Sequence, residues 1–292
     1  MRSDAAPGDL AGRNQDRGRQ SSSAESVPGV LTTVDAFLGG EIEIEQPAKG
    51  YRAGLDAVLL AAAAAARPVR SVSAPLHVVD VGAGVGTAGL CLATRLGDAD
   101  VTLVERDALA SRLASRNIER NRLGARARVA TIDVMRPAPD AAKQGLPDAS
   151  FDLAISNPPY LAEGHHRPSA DDLKAAAHAM PEDGLGRWLR FMARMTRPGG
   201  TAVLIHRADC LAALLAALDR RFGDVMVLPL HPRAGEPASR VIVRAVKASR
   251  APLRIAQGLV LHDKAGSFRP DIKAVLSAPR ALEWPLAGRA PG

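Results

Sequence analysis

The sequence has few of the residues that mark secreted, zinc-binding or membrane proteins. Its two cysteines, Cys91 and Cys210, lie far apart and form no Cys-x-x-Cys pair, so neither a disulfide framework nor a zinc site is expected. No apolar run reaches the roughly 20 residues that a membrane-spanning helix needs, and the first thirty residues lack the apolar core of a signal peptide. We therefore expect a soluble cytoplasmic protein that binds neither metal nor membrane.

Positive charge is in excess at only one end of the chain. The formal net charge is +7, yet residues 1–29 carry four basic and four acidic side chains and residues 30–239 carry 24 of each. The last 53 residues carry ten basic and three acidic side chains. This segment is either a solvated, solubilising tail or a surface that contacts phosphates. For the second interpretation, the candidate RNA contacts are Lys264, Arg269 and Lys273.

Composition divides the chain into three parts. Residues 1–29 are rich in Gly, Ser, Arg, Asp and Gln and have little apolar periodicity, which predicts a disordered leader. Residues 278–292 are rich in Pro, Ala and Gly and are predicted to form a flexible tail. Between them, residues 30–277 are predicted to form one domain. The sequence does not identify the oligomeric state, and a monomer is slightly favoured.

Short β-branched runs alternate with helical stretches in this domain. The predicted strands are 77–82, 101–105, 127–132, 151–156, 200–206, 225–230 and 239–246. The predicted helices are 87–96, 108–121, 171–178, 185–195 and 211–221. This alternation predicts an α/β fold with a doubly wound, seven-stranded, mostly parallel sheet. The last two strands have no helix between them, which predicts one antiparallel strand.

A glycine-rich turn, "DVGAGVG", follows the first predicted strand and opens a helix. Gly82 and Gly84 let the backbone pass close to a ligand. Three acids accompany the turn: Asp80 precedes it, Glu105 ends the second strand, and Asp133 follows the third. At the carboxyl edge of such a sheet, they suit an ammonium group, a ribose diol and an exocyclic amine, respectively. A ligand with an ammonium group, a ribose and an exocyclic amine corresponds to S-adenosylmethionine better than to NAD.

The stretch "ISNPPY" places an amide, two prolines and a tyrosine just beyond the fourth predicted strand. An aromatic or amide nitrogen is a poor nucleophile because its lone pair is delocalised. The side-chain oxygen of Asn157 and the carbonyl of Pro158 supply two acceptors for its N–H groups, and the prolines fix their geometry. Tyr160 offers a ring face to a planar target. We therefore predict methyl transfer to a planar nitrogen.

Together, "DVGAGVG", "VERD" and "NPPY" resemble the Rossmann-type methyltransferases that act on planar exocyclic or amide nitrogens. More narrowly, the chain resembles the bacterial tRNA adenine-N6 methyltransferases that modify adenosine 37 of valine tRNA. The resemblance extends from about Thr33 to Leu276 and includes "GYRAGLDAVLLA", "HPRAGEPASRVIV" and "LVLHDKAGSFRP". The chain departs from the family at Phe268–Arg269, where a tyrosine and a small hydroxyl residue are expected, and in its additional leader.

The resemblance implies a seven-stranded methyltransferase fold, S-adenosylmethionine as cofactor and tRNA as partner. It assigns the target amine to Asn157, Pro158 and Tyr160. It assigns cofactor binding to Asp80, Gly82, Gly84, Glu105 and Asp133, with Arg52 and Asp56 facing the methionine end.

Three other functions stay open. The first two keep the reaction and change the substrate to a protein glutamine amide or to a guanine exocyclic amine in ribosomal RNA. Relatives that act on glutamine usually have a separate N-terminal helical domain, for which the first thirty residues are too short. The third is a non-catalytic RNA-binding module that retains the cofactor pocket, and the intact Asn157 and acids argue against it.

Overall fold

A computed structural model of the chain describes residues 26–27, 30–50, 52–66, 75–136, 141–159 and 183–284. Its strands are β1 Ser26–Val27, β2 Val30–Phe37, β3 Ile42–Pro47, β4 Leu76–Val81, β5 Ala99–Glu105, β6 Ala127–Thr131, β7 Phe151–Ser156, β8 Thr196–Arg207, β9 Phe222–His231, β10 Arg240–Lys247, β11 Arg254–Ile255 and β12 Leu259–Val260. Its helices, numbered in chain order, are α1 Leu55–Ala65, α2 Thr87–Arg95, α3 Ala108–Arg120, α4 Gly184–Met195, α5 Leu211–Leu218 and α6 Pro270–Ser277.

The central sheet has the strand order β11-β9-β10-β8-β7-β4-β5-β6, and β12 also pairs with β9. Strands β4 to β8 are mutually parallel, whereas β10 is antiparallel to both β8 and β9. The predicted seven-stranded sheet with one antiparallel strand is thus confirmed, and two short strands extend it beyond β9. The chain leaves β4 toward β5 on one side, and β7 lies on the other. This is the switch point at which an open α/β sheet forms a crevice.

The parallel strands are apolar throughout because helices cover both faces of the sheet. Neighbouring residues of β4 belong to different cores: Val78 lies in the core with α1, α2, α3 and α6, and Val79 lies in the core with α4 and α5. Ala202 and Val203 divide in the same way on β8. The strands therefore pack between two hydrophobic cores, and the loops that follow them start from well-packed carboxyl ends.

Helix α1 is formed by the alanine-rich run that is too short to span a membrane. Eight consecutive residues, from Ala57 to Ala64, are buried, so the helix shows no polar face and no periodicity that would reveal it. No helix in the described part of the chain is long and apolar enough to cross a membrane.

The predicted flexible tail begins too early, because residues 278–284 pack against α1. The backbone N–H of Leu282 donates to the carbonyl of Ala62 at 2.9 Å, and Trp284 Nε1 donates to the carbonyl of Ala63 at 3.0 Å. Both side chains are buried. The cause is the apolar surface of α1, which a Pro- and Ala-rich segment with one leucine and one tryptophan covers.

The predicted leader boundary at residue 29 also needs correction, because β1 pairs with the start of β2. Strands β2 and β3 form a separate antiparallel hairpin that packs on α3. Sequence periodicity did not reveal the hairpin, α1, α6 or the two short strands beyond β9. The predicted helix at 171–178 lies outside the described residues.

Candidate cofactor and amine site

The carboxyl ends of β4, β5, β6 and β7 meet at one edge of the sheet. Hydrogen bonds join these ends directly: Gly84 N donates to Glu105 Oε2 at 2.9 Å, and Ile132 N donates to the carbonyl of Glu105 at 2.9 Å. The Ser156 hydroxyl donates to the carbonyl of Val81 at 2.7 Å. The structure therefore brings together the glycine turn, the acids at the strand ends and the start of the Asn-Pro-Pro stretch.

The glycine turn has the backbone that its sequence requires. Gly82, Gly84 and Gly86 have φ values of 72°, 56° and 90°, which glycine adopts without steric cost. A Cβ at Gly82 would lie 2.4 Å from Cζ2 of Trp188, so this position also needs glycine for close packing. A Cβ at Gly84 would have no described atom within 4 Å. The backbone at Gly84 is thus open to a ligand.

Glu105 ends β5 with its carboxylate held by backbone donors. Its Oε1 accepts from the N–H groups of Arg106 at 2.7 Å and Asp107 at 2.8 Å, and its Oε2 accepts from Gly84. A carboxylate has about four acceptor sites, so these contacts leave about one for a ribose hydroxyl. The sequence predicted two hydroxyl contacts, which would require one backbone bond to be exchanged.

Asp80 lies beneath the glycine turn and is 1% exposed. Its Oδ2 accepts from Gly89 N, in the first turn of α2, at 2.8 Å. Burial raises the pKa of the Asp80 carboxyl from 3.8 to about 7; the bond from Gly89 lowers it, and the charge of Glu105 raises it. This carboxylate anchors α2 to the turn, and its contact with a cofactor ammonium group stays a prediction.

Asp133 follows β6 and is partly exposed. Its Oδ1 accepts from Met135 N at 3.0 Å, and its Oδ2 lies 3.4 Å from Nε of Arg136. The side chain of Arg136 is 83% exposed, so its ion pair with Asp133 is weak in water. The carboxylate of Asp133 therefore has acceptor capacity left for an amine at this edge.

Arg52 and Asp56 are engaged by partners that sequence reasoning did not identify. Arg52 Nη2 lies 2.5 Å from Asp35 Oδ2, and Asp56 Oδ2 accepts from Nε of Arg240 at 2.9 Å. The same Asp35 oxygen accepts from the side chain of Gln46. These pairs tie the segment before α1 to the N-terminal hairpin, and the first turn of α1 to β10.

Asn157 and Pro158 stand immediately after β7, and Tyr160 lies outside the described residues. Asn157 is partly buried and Pro158 is buried. Because β7 lies beside β4, Asn157 follows its strand at the same edge at which the glycine turn follows β4. Asn157 and the glycine turn are therefore neighbours at this edge, as the sequence predicted.

The site fits S-adenosylmethionine on three structural observations. Gly84 exposes its backbone, and Glu105 and Asp133 keep acceptor capacity at neighbouring strand ends. In the first turn of α2, Thr87 Oγ1 has no hydrogen-bond partner among the described residues, and a helix N-terminus favours a carboxylate. Gly84, Glu105, Asp133 and the start of α2 would hold the cofactor.

Two buried residues at this edge were missed by sequence reasoning. Ser156 precedes Asn157, and Trp188 lies on α4; Trp188 Nε1 donates to Ser156 Oγ at 2.9 Å. Ser156 looked like an ordinary strand residue, and Trp188 looked like an apolar core residue of an amphipathic helix. The only available signal was that Trp188 is one of two tryptophans.

Several cations of the basic C-terminal segment contact groups of the fold. Arg240 pairs with Asp56, and Arg254 lies 2.5 Å from Asp224. The guanidinium carbon of Arg244 lies 5.3 Å from the ring centroid of Trp284. Lys247 Nζ donates to the carbonyl of Thr196 at 2.5 Å.

Lys264, Arg269 and Lys273 remain exposed. Lys264 and Arg269 belong to a loop that follows β12, whose Val260 pairs with His231 at the end of β9. The loop is ordered by bonds from the backbone N–H groups of Ala265 and Ser267 to the Asp263 carboxylate, at 2.9 and 3.0 Å.

Comparison with known proteins identifies similar methyltransferases. The family model described as the methyltransferase small domain matches residues 65–188. The tRNA1(Val) (adenine(37)-N6)-methyltransferase of Enterobacter sp. (strain 638) is 33% identical over 241 residues, which cover 75% of this chain and 91% of that protein. The enzyme of the same name from Porphyromonas gingivalis is 28% identical over 244 residues, covering 81% and 91%.

One solved structure is similar over nearly its whole length. The crystal structure of a predicted O-methyltransferase from Agrobacterium tumefaciens superposes with a TM-score of 0.63 and 31% sequence identity. The match covers 78% of this chain and 98% of that one. Sequence and fold comparisons therefore agree on a methyltransferase.

Proposed function

Since the chain belongs to the family of the tRNA1(Val) (adenine(37)-N6)-methyltransferases, we propose that it transfers a methyl group from S-adenosylmethionine to the exocyclic N6 of an adenine in tRNA. The observation that supports this most strongly is the position of Asn157 and Pro158. They follow β7 at the switch point, beside the strand whose end bears the cofactor turn. The tRNA substrate implies a cytoplasmic location.

When bound, S-adenosylmethionine supplies an electrophilic methyl group on a sulfonium, which leaves as a neutral thioether. The protein holds the cofactor through Gly84, Glu105 and Asp133. These residues are preorganised, because the glycine turn and Glu105 bond to each other and to the backbone of the next loop. Little rearrangement is then needed on binding, which lowers the entropic cost of alignment.

The target nitrogen is held by acceptors rather than by a base. The amide oxygen of Asn157 and the carbonyl of Pro158 accept its two N–H groups and aim its lone pair at the methyl group. Once the N–C bond forms and the C–S bond breaks, the nitrogen loses one of these protons to water. Proline at two consecutive positions removes backbone freedom, so the two acceptors are set before the substrate arrives. Tyr160, which the structure does not describe, is proposed to stack on the adenine, a contact worth about 1–3 kcal/mol per base.

The exposed cations of the C-terminal segment are proposed to contact RNA phosphates. Lys264, Arg269 and Lys273 are exposed, and Arg269 Nε also lies 3.6 Å from Asp271 Oδ1. Several other cations of the segment contact groups of the fold. Lys264 stands in a loop whose backbone is ordered around Asp263. A cation on an ordered loop loses less conformational entropy when it binds phosphate.

Transfer of tritium from labelled cofactor tests the proposal. The purified protein is incubated with total tRNA, ribosomal RNA or a protein extract, and label is counted in each fraction after nuclease or protease digestion. We expect label in the tRNA fraction. Nuclease should release this label as a nucleoside that co-migrates with N6-methyladenosine. Label in a glutamine amide would favour the protein substrate, and label in a guanine of ribosomal RNA would favour the ribosomal-RNA substrate. Absence of label in every fraction would contradict the enzymatic function.

A further inference from the structure

A side-chain bridge replaces the backbone ladder at the point where β4 and β7 diverge. The last paired residues of these strands are Asp80 and Ile155. One position further on, the Ser156 hydroxyl donates to the carbonyl of Val81 at 2.7 Å. The next residues are Gly82 on one chain segment and Asn157 on the other, so this bond lies immediately before the two functional loops.

Trp188 completes the bridge from α4. Its Nε1 donates to Ser156 Oγ at 2.9 Å, and its ring lies so close to Gly82 that a Cβ there would stand 2.4 Å from Cζ2 and 2.6 Å from Cη2. Ser156 is 0% exposed and Trp188 is 6% exposed. The indole therefore contacts both loops at once, through its N–H on one side and through its ring on the other.

We propose that Ser156 and Trp188 are positioning residues that set the spacing between the cofactor turn and Asn157. This inference rests on the proposed function, because it matters only if a methyl group passes from one loop to the other. Transfer requires the nitrogen, the methyl carbon and the sulfur to be aligned, and displacement by about 1 Å can cost about 100-fold in rate. Neither residue touches the substrate; both act through the loops that do.

Trp188→Phe tests the bridge with a matched control. It keeps an aromatic ring at this position, shortened at the edge that meets Gly82, and removes the N–H that holds Ser156. The control is Trp284→Phe, since Trp284 is the other tryptophan of the chain, is 9% exposed and donates its Nε1 to the carbonyl of Ala63. Trp284 packs on α1 and leaves the Ser156–Val81 bridge intact, so it reports the general effect of losing a buried indole hydrogen bond.

The expected result is a selective loss of turnover. Trp188→Phe should lower kcat at least tenfold and change the cofactor Kd less than threefold, whereas Trp284→Phe should change kcat less than threefold. Ser156→Ala should act in the same direction as Trp188→Phe. The double variant should be no slower than the slower single variant, because both substitutions break one connected chain of bonds. Equal kcat in the wild type and both single variants would overturn the proposal.

Fluorescence gives a readout that does not depend on activity. In Trp284→Phe, Trp188 is the only tryptophan, and its emission should change when S-adenosylhomocysteine is added, because the ring contacts the turn that binds the cofactor. In Trp188→Phe, the remaining Trp284 should show no change. An unresponsive Trp188 despite calorimetric binding of the same ligand would overturn the link between the indole and the turn.

These outcomes separate the two proposals. If wild-type protein methylates no RNA while Trp188 responds to S-adenosylhomocysteine, the proposed function fails and the contact between the indole and the cofactor turn stands. If wild-type protein is active and Trp188→Phe is equally active with a normal melting temperature, the positioning role fails and the proposed function stands.

Discussion

At the scale of single residues, acids at neighbouring strand ends have different environments. Glu105 is held by three backbone N–H groups and remains partly exposed, whereas Asp80 is almost fully buried and has one backbone donor. Desolvation of Asp80 disfavours its charged form, so its pKa rises to about 7. The carboxylate of Glu105 thus keeps acceptor capacity for a ligand, whereas the carboxyl group of Asp80 anchors α2.

The raised pKa of Asp80 predicts a pH-dependent stability. The unfolded chain loses this proton near pH 3.8 and the folded chain near pH 7. The stability that the protonated carboxyl contributes is therefore fully present below pH 3.8 and lost as the pH rises through 7. Asp80→Asn cannot lose a proton. Relative to wild type, its free energy of unfolding should rise by up to about 1.4 kcal/mol per pH unit between pH 4 and 7.

Urea unfolding of both proteins at several pH values between 4 and 8 measures this difference. The asparagine oxygen still accepts from Gly89, so the hydrogen bond itself is not the variable. A difference in unfolding free energy that is constant over this range would show that Asp80 is ionised in the fold throughout.

Sequence reasoning placed the acids and Asn157 correctly at strand ends because short apolar runs define where strands stop. It could not find the partners of Arg52 and Asp56. Asp56 meets Arg240, 184 residues away, and a contact at that separation depends on how the whole sheet closes. The burial of Asp80 was also out of reach, since it depends on α2 packing over the turn.

At the scale of elements, α3 holds the N-terminal hairpin with a ladder of two asparagine side chains. Asn117 accepts from the N–H of Glu45 at 2.7 Å and donates to its carbonyl at 2.9 Å. Asn121, one turn later, does the same for Glu43 at 2.9 and 2.7 Å. Two side chains one helical turn apart thus pair with every second residue along the edge of β3. They provide hydrogen-bond partners for the backbone N–H and C=O groups of this edge strand.

Only Asn117 also reaches the cofactor turn, where it donates to the carbonyl of Val85 at 2.9 Å. Asn117→Ala should weaken cofactor binding about tenfold, or about 1.4 kcal/mol, and destabilise the fold by about 1–3 kcal/mol, because it leaves buried polar groups without partners. Calorimetric titration with S-adenosylhomocysteine and urea unfolding measure the two effects.

Asn121→Ala is the matched control for this prediction. It removes the same contacts with the strand edge but touches no part of the turn, and water can replace its bonds because they are exposed. Its cofactor affinity should equal that of wild type. Equal affinities in both variants would mean that the turn is held without the hairpin and α3.

Strands and helices with regular periodicity were predictable, whereas the hairpin and α1 were not. Helix α1 has no polar face because the first core, α2 and the segment around Trp284 surround it. In β2, polar Thr32 and Thr33 interrupt the apolar pattern. Thr32 bonds to buried Glu45 at 2.8 Å, a pairing that exists only once the hairpin has formed.

At the scale of the whole molecule, the excess positive charge is concentrated in the C-terminal segment. The C-terminal segment has ten basic and three acidic residues, yet several of the cations stabilise the fold rather than face a ligand. Sequence counting predicted the excess but could not separate these two groups, because ion pairs such as Arg254 with Asp224 form only in the folded sheet. The exposed remainder contains the three predicted RNA contacts.

Neutralising Lys264, Arg269 and Lys273 together to glutamine should flatten the salt dependence of tRNA binding. Three phosphate contacts predict a slope of log Kobs against log salt of about −2 to −3, because each contact releases bound counterions. The triple variant should lose most of this slope and keep its cofactor affinity. Filter binding of bulk tRNA at several salt concentrations measures the slope.

A second triple variant, with Arg122, Lys143 and Arg220 changed to glutamine, controls for net charge. These residues precede β6, β7 and β9 and stand at the opposite, amino edge of the sheet, where all three are exposed. This variant should keep the wild-type slope. If the two triple variants behave alike, the RNA is attracted by overall charge and the C-terminal segment is a solubilising tail.

The most direct test of the account is the nucleoside product formed by Asn157→Ala. Wild-type and variant proteins are incubated with tRNA and S-adenosylmethionine, and the digested nucleosides are quantified by mass spectrometry, with Asn121→Ala as the control for a surface amide. We expect N6-methyladenosine from wild type, a loss of at least tenfold in Asn157→Ala, equivalent to about 1.4 kcal/mol of barrier, and unchanged cofactor affinity. A different methylated nucleoside from wild type, or more than about a tenth of the wild-type rate from Asn157→Ala, would contradict it.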